Sequence, residues 1–185
     1  MMNGRIRRGA LLAVIAIGAT ACANDHASVV PGNHPGTSSP SASTTPALCT
    51  GMRVSVESME GAAGTIRWVW RAQNISATPC TSFGYPGLDV HGTAGWLNLQ
   101  VHRGGLIDIN HNPQHIVVAP GRSLYFVSYW SDVTSTNESL CTQFDQVKVT
   151  LPENDDSNVL SAMGCLSPDS VRVGPVTTSV PTPGR

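Results

Sequence analysis

The chain has 185 residues, which suits one domain with extensions, and its composition excludes several classes of protein. Only 12% of the residues are charged, against a globular average of roughly 25%. This disfavours a helical protein, because exposed helix faces usually carry Glu and Lys. The formal net charge is −1, which argues against a nucleic-acid partner, since such binding depends on many cationic contacts with phosphates.

Residues 1–21 have the pattern of a secretory signal peptide. Arg5, Arg7 and Arg8 precede an uncharged and mostly apolar run at residues 9–21. This run is too short for a membrane-spanning helix, which needs about 20 residues, but it suits a signal peptide.

The signal peptide ends in Ala-Thr-Ala followed by Cys22, which resembles a bacterial lipobox. In such proteins the cysteine carries a diacylglycerol thioether and acyl chains such as palmitate. The alternative is an ordinary secretory signal beside an incidental Cys22. No later stretch reaches 18 apolar residues, so we expect the mature chain to be held by lipid on the outer face of the cell membrane.

The mature chain divides by composition into three parts. Residues 22–47 comprise Cys22 and a stretch rich in Ser, Thr and Pro that is expected to form a flexible tether. Residues 48–174 carry the patterning of a folded domain, and residues 175–185 are expected to be a flexible tail.

Period-two alternation of apolar and polar residues predicts β-strands in the domain. It occurs at residues 52–57, 66–73, 97–102, 147–151 and 171–173, and turn signals separate these runs. Residues 124–130 are almost continuously apolar, which predicts a central strand buried on both faces. Residues 157–163 could hold a short helical turn. We therefore predict an all-β, immunoglobulin-like sandwich of seven or eight strands.

Four cysteines remain beside Cys22: Cys49, Cys80, Cys141 and Cys165. An even number in an exported domain predicts two disulfides, for which three pairings are possible. We favour Cys49–Cys80 and Cys141–Cys165, because each pair flanks neighbouring strands and closes a short loop. No Cys-x-x-Cys occurs, so nothing in the sequence indicates redox catalysis.

A series of short motifs resembles a domain of unknown function that recurs in secreted proteins and lipoproteins of actinobacteria, including mycobacteria. The motifs are Leu-Cys at 48–49, Gly-Ala-Ala-Gly at 61–64, Asn-Ile-Ser at 74–76, Pro-Cys at 79–80, Gly-Tyr-Pro-Gly at 84–87, Gly-Trp-Leu at 95–97 and Val-Ala-Pro-Gly at 118–121. The resemblance covers about residues 49–151, and neither Cys141 nor Cys165 belongs to its shared motifs. It implies an extracytoplasmic, immunoglobulin-like sandwich with its first two cysteines paired, and it brings no catalytic residues.

Catalytic and metal-binding signals are weak. Asp108, His111 and His115 are metal-ligand types, but Pro113 prevents the two histidines from sharing a helix face, which favours polar residues in a surface loop. Neither Gly-x-Ser-x-Gly nor His-Glu-x-x-His occurs. We expect no enzyme activity and no cofactor, with an extracytoplasmic metal-binding protein as the alternative function.

Aromatic residues give the remaining indication of function. Trp96 is out of phase with Leu97, Leu99 and Val101, so it is expected to point away from the core, and Tyr85 lies at a turn. Exposed aromatic side chains bring large contact area at modest entropic cost. The alternative is that they pack under a loop. We expect a non-catalytic binding module whose partner is an envelope protein or a glycan.

Overall fold

The computed structural model describes residues 45–97, 99–104, 112–131, 141–167 and 170–182. The described residues contain eleven strands: β1 (Met52–Ala62), β2 (Thr65–Asn74), β3 (Cys80–Ser82), β4 (Gly87–Gly92), β5 (Gly95–Leu97), β6 (His102–Arg103), β7 (Ile116–Val118), β8 (Ser123–Ser131), β9 (Thr142–Thr150), β10 (Ser157–Leu166) and β11 (Arg172–Val173). The fold is all-β, as predicted. The number of strands exceeds seven or eight because several have only two or three residues.

The larger sheet has five strands in the order β1-β2-β8-β11-β6. Strands β1 and β2 form a hairpin whose two loop residues, Ala63 and Gly64, have φ of 48° and 79°. Positive φ at both positions is typical of a type I′ turn, whose twist matches that of the paired strands. Strand β8 is central, and its residues 126–128 are buried in succession, which confirms the strand predicted from the apolar run.

The second sheet has four strands in the order β10-β9-β4-β5, and β3 pairs separately with β7. Residues 157–163 form part of β10 and not a helical turn. Their side chains alternate, because Leu160 and Ala162 pack against the core while Val159 and Met163 are exposed. Antiparallel pairing with β9 then gives this segment its backbone hydrogen bonds.

Aromatic side chains join the two larger sheets across the core. Trp68 and Trp70 of β2 stack with ring centroids 5.3 Å apart, and Trp130 of β8 lies 5.5 Å from Trp68 and 5.3 Å from Phe144 of β9. The indole N–H groups of Trp70 and Trp130 both donate to Ser128 Oγ, at 2.8 and 2.6 Å, so neither is left unpaired in the core. One core shared by two sheets confirms the predicted sandwich arrangement.

Two disulfides are present, with the favoured pairing. Cys49 is bonded to Cys80, with Cα atoms 4.7 Å apart, and Cys141 is bonded to Cys165, with Cα atoms 5.3 Å apart. The first ties the segment before β1 to β3, and the second ties the start of β9 to β10.

The folded part of the chain continues past Gly174. Val176 is 2% exposed and belongs to the core, and its backbone N–H donates to the carbonyl oxygen of Gly84 at 3.0 Å. Thr177 pairs with Tyr125 of β8 through two backbone hydrogen bonds of 2.9 and 2.8 Å. The boundary expected at Gly174 is therefore too early, because the next residues fill the core and continue, along β8, the antiparallel pairing that begins with β11.

Candidate interaction surface

Trp96 lies on the outer face of the four-stranded sheet. It is the middle residue of β5, and it faces His91 of β4 in the antiparallel register. The side chain is 44% exposed, whereas the other three tryptophans, Trp68, Trp70 and Trp130, are 5% exposed or less. This orientation agrees with the one that the phase of Trp96 predicts.

Strand register places polar side chains in rows beside Trp96. One row runs Trp96–His91–Gln146–Ser161 across β5, β4, β9 and β10. A second row brings Asp89 of β4 opposite Lys148 of β9. Alternation along β4 and β9 dictates these rows, because the intervening Leu88, Val90, Val147 and Val149 are buried in the core.

Asp145 reaches the same face through a β-bulge. His91 pairs with Gln146 and Gly92 with Phe144, so Asp145 is the extra residue between these pairs. A bulge bends its strand and redirects a side chain. Asp145 is exposed, and its Oδ1 lies 2.9 Å from Nδ1 of His91. We call the set Asp89, His91, Trp96, Asp145, Gln146 and Lys148 the Trp96 face.

The side chains of Lys148 and His91 both contact the indole of Trp96. The Nζ of Lys148, the only lysine of the chain, lies 4.9 Å from the centroid of the Trp96 ring and 2.8 Å from Asp89 Oδ2. The imidazole of His91 meets the indole edge-on, with centroids 5.3 Å apart. A partly solvent-accessible ion pair such as Lys148–Asp89 typically contributes about 1 kcal/mol or less, so these contacts orient Trp96 more than they stabilise the fold.

Tyr85 does not belong to this surface. It is partly buried and packs against the core, which corrects the expectation that it is exposed. It also lies before Gly87, at the opposite end of β4 from His91. The turn at residues 84–87 folds its ring inward, so Trp96 is the aromatic residue that this face presents.

A family model described as a domain of unknown function, DUF4232, matches residues 49–177. The chain belongs to this family. The match continues past residue 151, where the sequence resemblance was expected to end, and it includes Cys141 and Cys165. The DUF4232 domain needs this extension, because β10 pairs with β9 and β11 pairs with β8. No curated protein and no solved structure matches the chain.

Of the three candidate metal ligands expected from the sequence, only His115 lies among the described residues. Asp108 and His111 lie outside the described residues. His115 is exposed in the DUF4232 domain, and its ring stacks on Phe83 with centroids 4.2 Å apart and planes inclined by 17°. Within the described stretches, no group of three His, Cys, Asp or Glu side chains could hold a metal ion.

Cys22, the predicted lipidation site, also lies outside the described residues, as do the signal peptide and most of the tether. Across the described part of the DUF4232 domain, no helix has the length and apolar character needed to cross a membrane.

Sequence patterns indicated Trp96 but not its neighbours. Alternation at residues 147–151 places Lys148 on the outer side of β9, but no strand is predicted from the sequence at residues 87–92, which hold Asp89 and His91. Nothing in the sequence shows that β4 and β9 are adjacent, or that a bulge brings Asp145 to His91. The candidate site therefore depends on strand register, which period-two patterning does not specify.

Proposed function

We propose that the protein is a lipid-anchored, non-catalytic interaction module on the extracytoplasmic face of an actinobacterial cell membrane, and that it contacts its partner through the Trp96 face. The observation that carries the proposal is the exposure of one oriented tryptophan among paired charges, while the other three tryptophans are buried.

The envelope location is supported by sequence and by chemistry. Three arginines, a short apolar run and small residues before Cys22 suit a lipoprotein signal, and residues 23–47 can serve as a spacer above the lipid headgroups. Two disulfides suit an oxidising, extracytoplasmic compartment. Removal of residues 1–21 takes away Arg5, Arg7 and Arg8, which leaves more acidic than basic residues, so attachment is assigned to lipid and not to charge.

A contact role suits the Trp96 face because its ionisable groups are already engaged. Lys148 is bound to Asp89, and His91 to Asp145, on an open sheet surface. A catalytic group would need a reacting atom held within hydrogen-bond reach and shielded from water. A large aromatic surface with fixed polar neighbours suits recognition better than it suits chemistry.

The test is crosslinking in intact cells that express the full-length, tagged chain, followed by mass spectrometry of the adducts. We expect an adduct whose yield falls about tenfold or more in Trp96→Ala, as for a central aromatic contact. Ile75→Ala is the matched control, because Ile75 is an exposed apolar residue (54%) outside this face. If Trp96→Ala and Ile75→Ala give the same adduct yield, the partner does not bind through the Trp96 face.

The same cells test the anchor. Cys22→Ala should shift the protein from the membrane fraction to the soluble fraction, and wild-type protein should carry the mass of a lipidated N-terminal cysteine. Equal membrane retention, with no lipid mass in the wild type, would exclude lipid attachment at Cys22.

A further inference from the structure

The charges of the Trp96 face leave it poorly suited to a charged ligand. Lys148 Nζ is 2.8 Å from Asp89 Oδ2, and the partner of His91 is the carboxylate of Asp145 at 2.9 Å. A phosphate or carboxylate would have to displace Asp89 from Lys148, and a cationic ligand on the indole would be repelled by the ammonium of Lys148, which lies 4.9 Å from the ring centroid. The complementary ligand is therefore uncharged.

The surroundings of Trp96 are also unlike the core of a protein–protein interface. Such cores are depleted in charged residues, and a central tryptophan normally packs into an apolar pocket. Here Lys148 lies over the ring and the imidazole of His91 makes a T-shaped contact with it, while Asp89 and Gln146 lie close by in the register. Hydrogen-bonding groups thus surround the indole, and the exposed Val159 of β10 lies beyond them, opposite Lys148 in the register.

This combination matches the chemistry of a sugar. A pyranose presents C–H groups on its ring faces, which pack on an indole, and hydroxyl groups at its rim, each of which can donate and accept. Carboxylates accept from hydroxyls, an ammonium donates to them, and the Gln146 amide does both. We propose that the Trp96 face binds a neutral oligosaccharide, with one sugar ring stacked on Trp96; this deepens the proposed function and rests on it.

The shape of the face favours a chain of sugars over a single one. The row Trp96–His91–Gln146–Ser161 crosses four adjacent strands, which gives a length of about 14 Å at the usual strand spacing. All four side chains lie on one open sheet surface. An extended glycan segment can follow this row, anchored at the Trp96 end.

The test measures binding of defined hexasaccharides to the full-length chain in detergent. The neutral probes are hexamers of glucose, mannose and N-acetylglucosamine, and the charged comparisons are hexamers of galacturonic acid and glucosamine. The readout is protection of tryptophan fluorescence from acrylamide, which reports on Trp96 because the other three tryptophans are buried.

We expect at least one neutral hexamer to bind, with an affinity that changes less than about twofold between about 50 and 500 mM NaCl, because the ligand carries no charge. Trp96→Ala should weaken binding, read by calorimetry, about tenfold or more. Trp96→Phe should restore part of the affinity, and Ile75→Ala should change nothing. Unchanged melting temperatures in these variants would show that folding is intact.

Three results would overturn the carbohydrate assignment: no binding of any neutral hexamer, binding that persists in Trp96→Ala, or tighter and salt-sensitive binding of a charged hexamer. If cellular crosslinking still depends on Trp96, the partner is a protein and only the sugar assignment fails. If crosslinking is also independent of Trp96, the proposed function fails with it.

Discussion

Asn74 shows how one buried polar residue joins separate segments of the sandwich. Its side chain is fully buried, and its Nδ2 donates to the carbonyl oxygens of Thr78 and Val118, both at 3.0 Å. Its Oδ1 accepts from the backbone N–H of Ser76 at 2.9 Å and from the hydroxyl of Ser76 at 2.7 Å. The amide thus fixes the turn after β2 and ties it to β7.

Replacing Asn74 with Asp is expected to lower the free energy of unfolding by about 2–4 kcal/mol at pH 7. The change removes both donated hydrogen bonds and buries a carboxylate opposite two carbonyl oxygens. Urea denaturation at pH 7 and pH 4 measures the effect, which should shrink at pH 4, where a protonated acid recovers a donor.

Gln73→Glu is the matched control, because it makes the same amide-to-acid change one residue earlier. Gln73 donates to the carbonyl oxygen of Gly121 in an exposed hydrogen bond of 3.2 Å, so its replacement should cost less than about 0.5 kcal/mol. Equal costs for the two variants would mean that the buried network at Asn74 contributes little.

At the level of elements, the sequence predicts where strands lie along the chain better than it predicts which strands pair with each other in the sheets. Alternation of apolar and polar residues predicts the long strands β1, β2 and β9, although β2 is buried on both faces at residues 67–70. The run expected at residues 97–102 is interrupted, because β5 ends at Leu97 and β6 begins at His102. The sequence of residues 157–163 is compatible with a short helical turn, because its small residues obscure a period of two. Pairing with β9 decides that conformation, and pairing is a tertiary property.

The two disulfides crosslink different pairs of segments, and they differ in solvent exposure. Cys49 and Cys80 are 4% and 5% exposed, whereas Cys141 and Cys165 are both partly exposed. Thiol–disulfide exchange requires access of a thiolate to sulfur, so the two bonds should differ in their rate of reduction in the native state.

In the folded Cys22→Ala variant, which retains four cysteines, dithiothreitol should reduce Cys141–Cys165 before Cys49–Cys80. Alkylation followed by peptide mass spectrometry assigns each reduced cysteine over time. In about 6 M guanidinium chloride the two rates should converge, since both bonds are then exposed. Simultaneous reduction under native conditions would show that global unfolding, not local access, controls both.

At the level of the whole molecule, the C-terminal segment closes the sandwich. Val176 fills the core and Thr177 pairs with β8, so residues 175–177 complete the body that the family match also includes. Further along, the Arg67 guanidinium donates to the carbonyl oxygen of Pro181, and Arg67 is only 7% exposed. The segment is rich in Pro, Thr and Ser, a composition typical of a flexible tail. Composition alone does not reveal that Val176 is buried in the core.

Stepwise truncation should therefore separate three levels of stability. Ending the chain after Gly174 removes the Val176 side chain from the core and the backbone pairing of Thr177, with an expected loss of about 3 kcal/mol or more. Ending it after Thr177 keeps both but deprives Arg67 of the Pro181 carbonyl, for an expected loss of about 1–2 kcal/mol. Ending it after residue 182 retains all of these contacts and should change little.

Denaturant unfolding of the three truncated chains beside the full-length chain measures this order. The chain that ends after Thr177 separates the two effects, because it retains Val176 in the core but lacks the Pro181 carbonyl. The 3.2 Å hydrogen bond from Arg67 to the Tyr129 hydroxyl involves no truncated residue, so it is expected to be the same in every chain. If the chain ending at Gly174 is as stable as the full-length protein, the domain ends where composition placed it. If the expected order is found, residues 175–182 contribute to stability in spite of their tail-like composition, and the folding unit is longer than the patterned strands alone indicate.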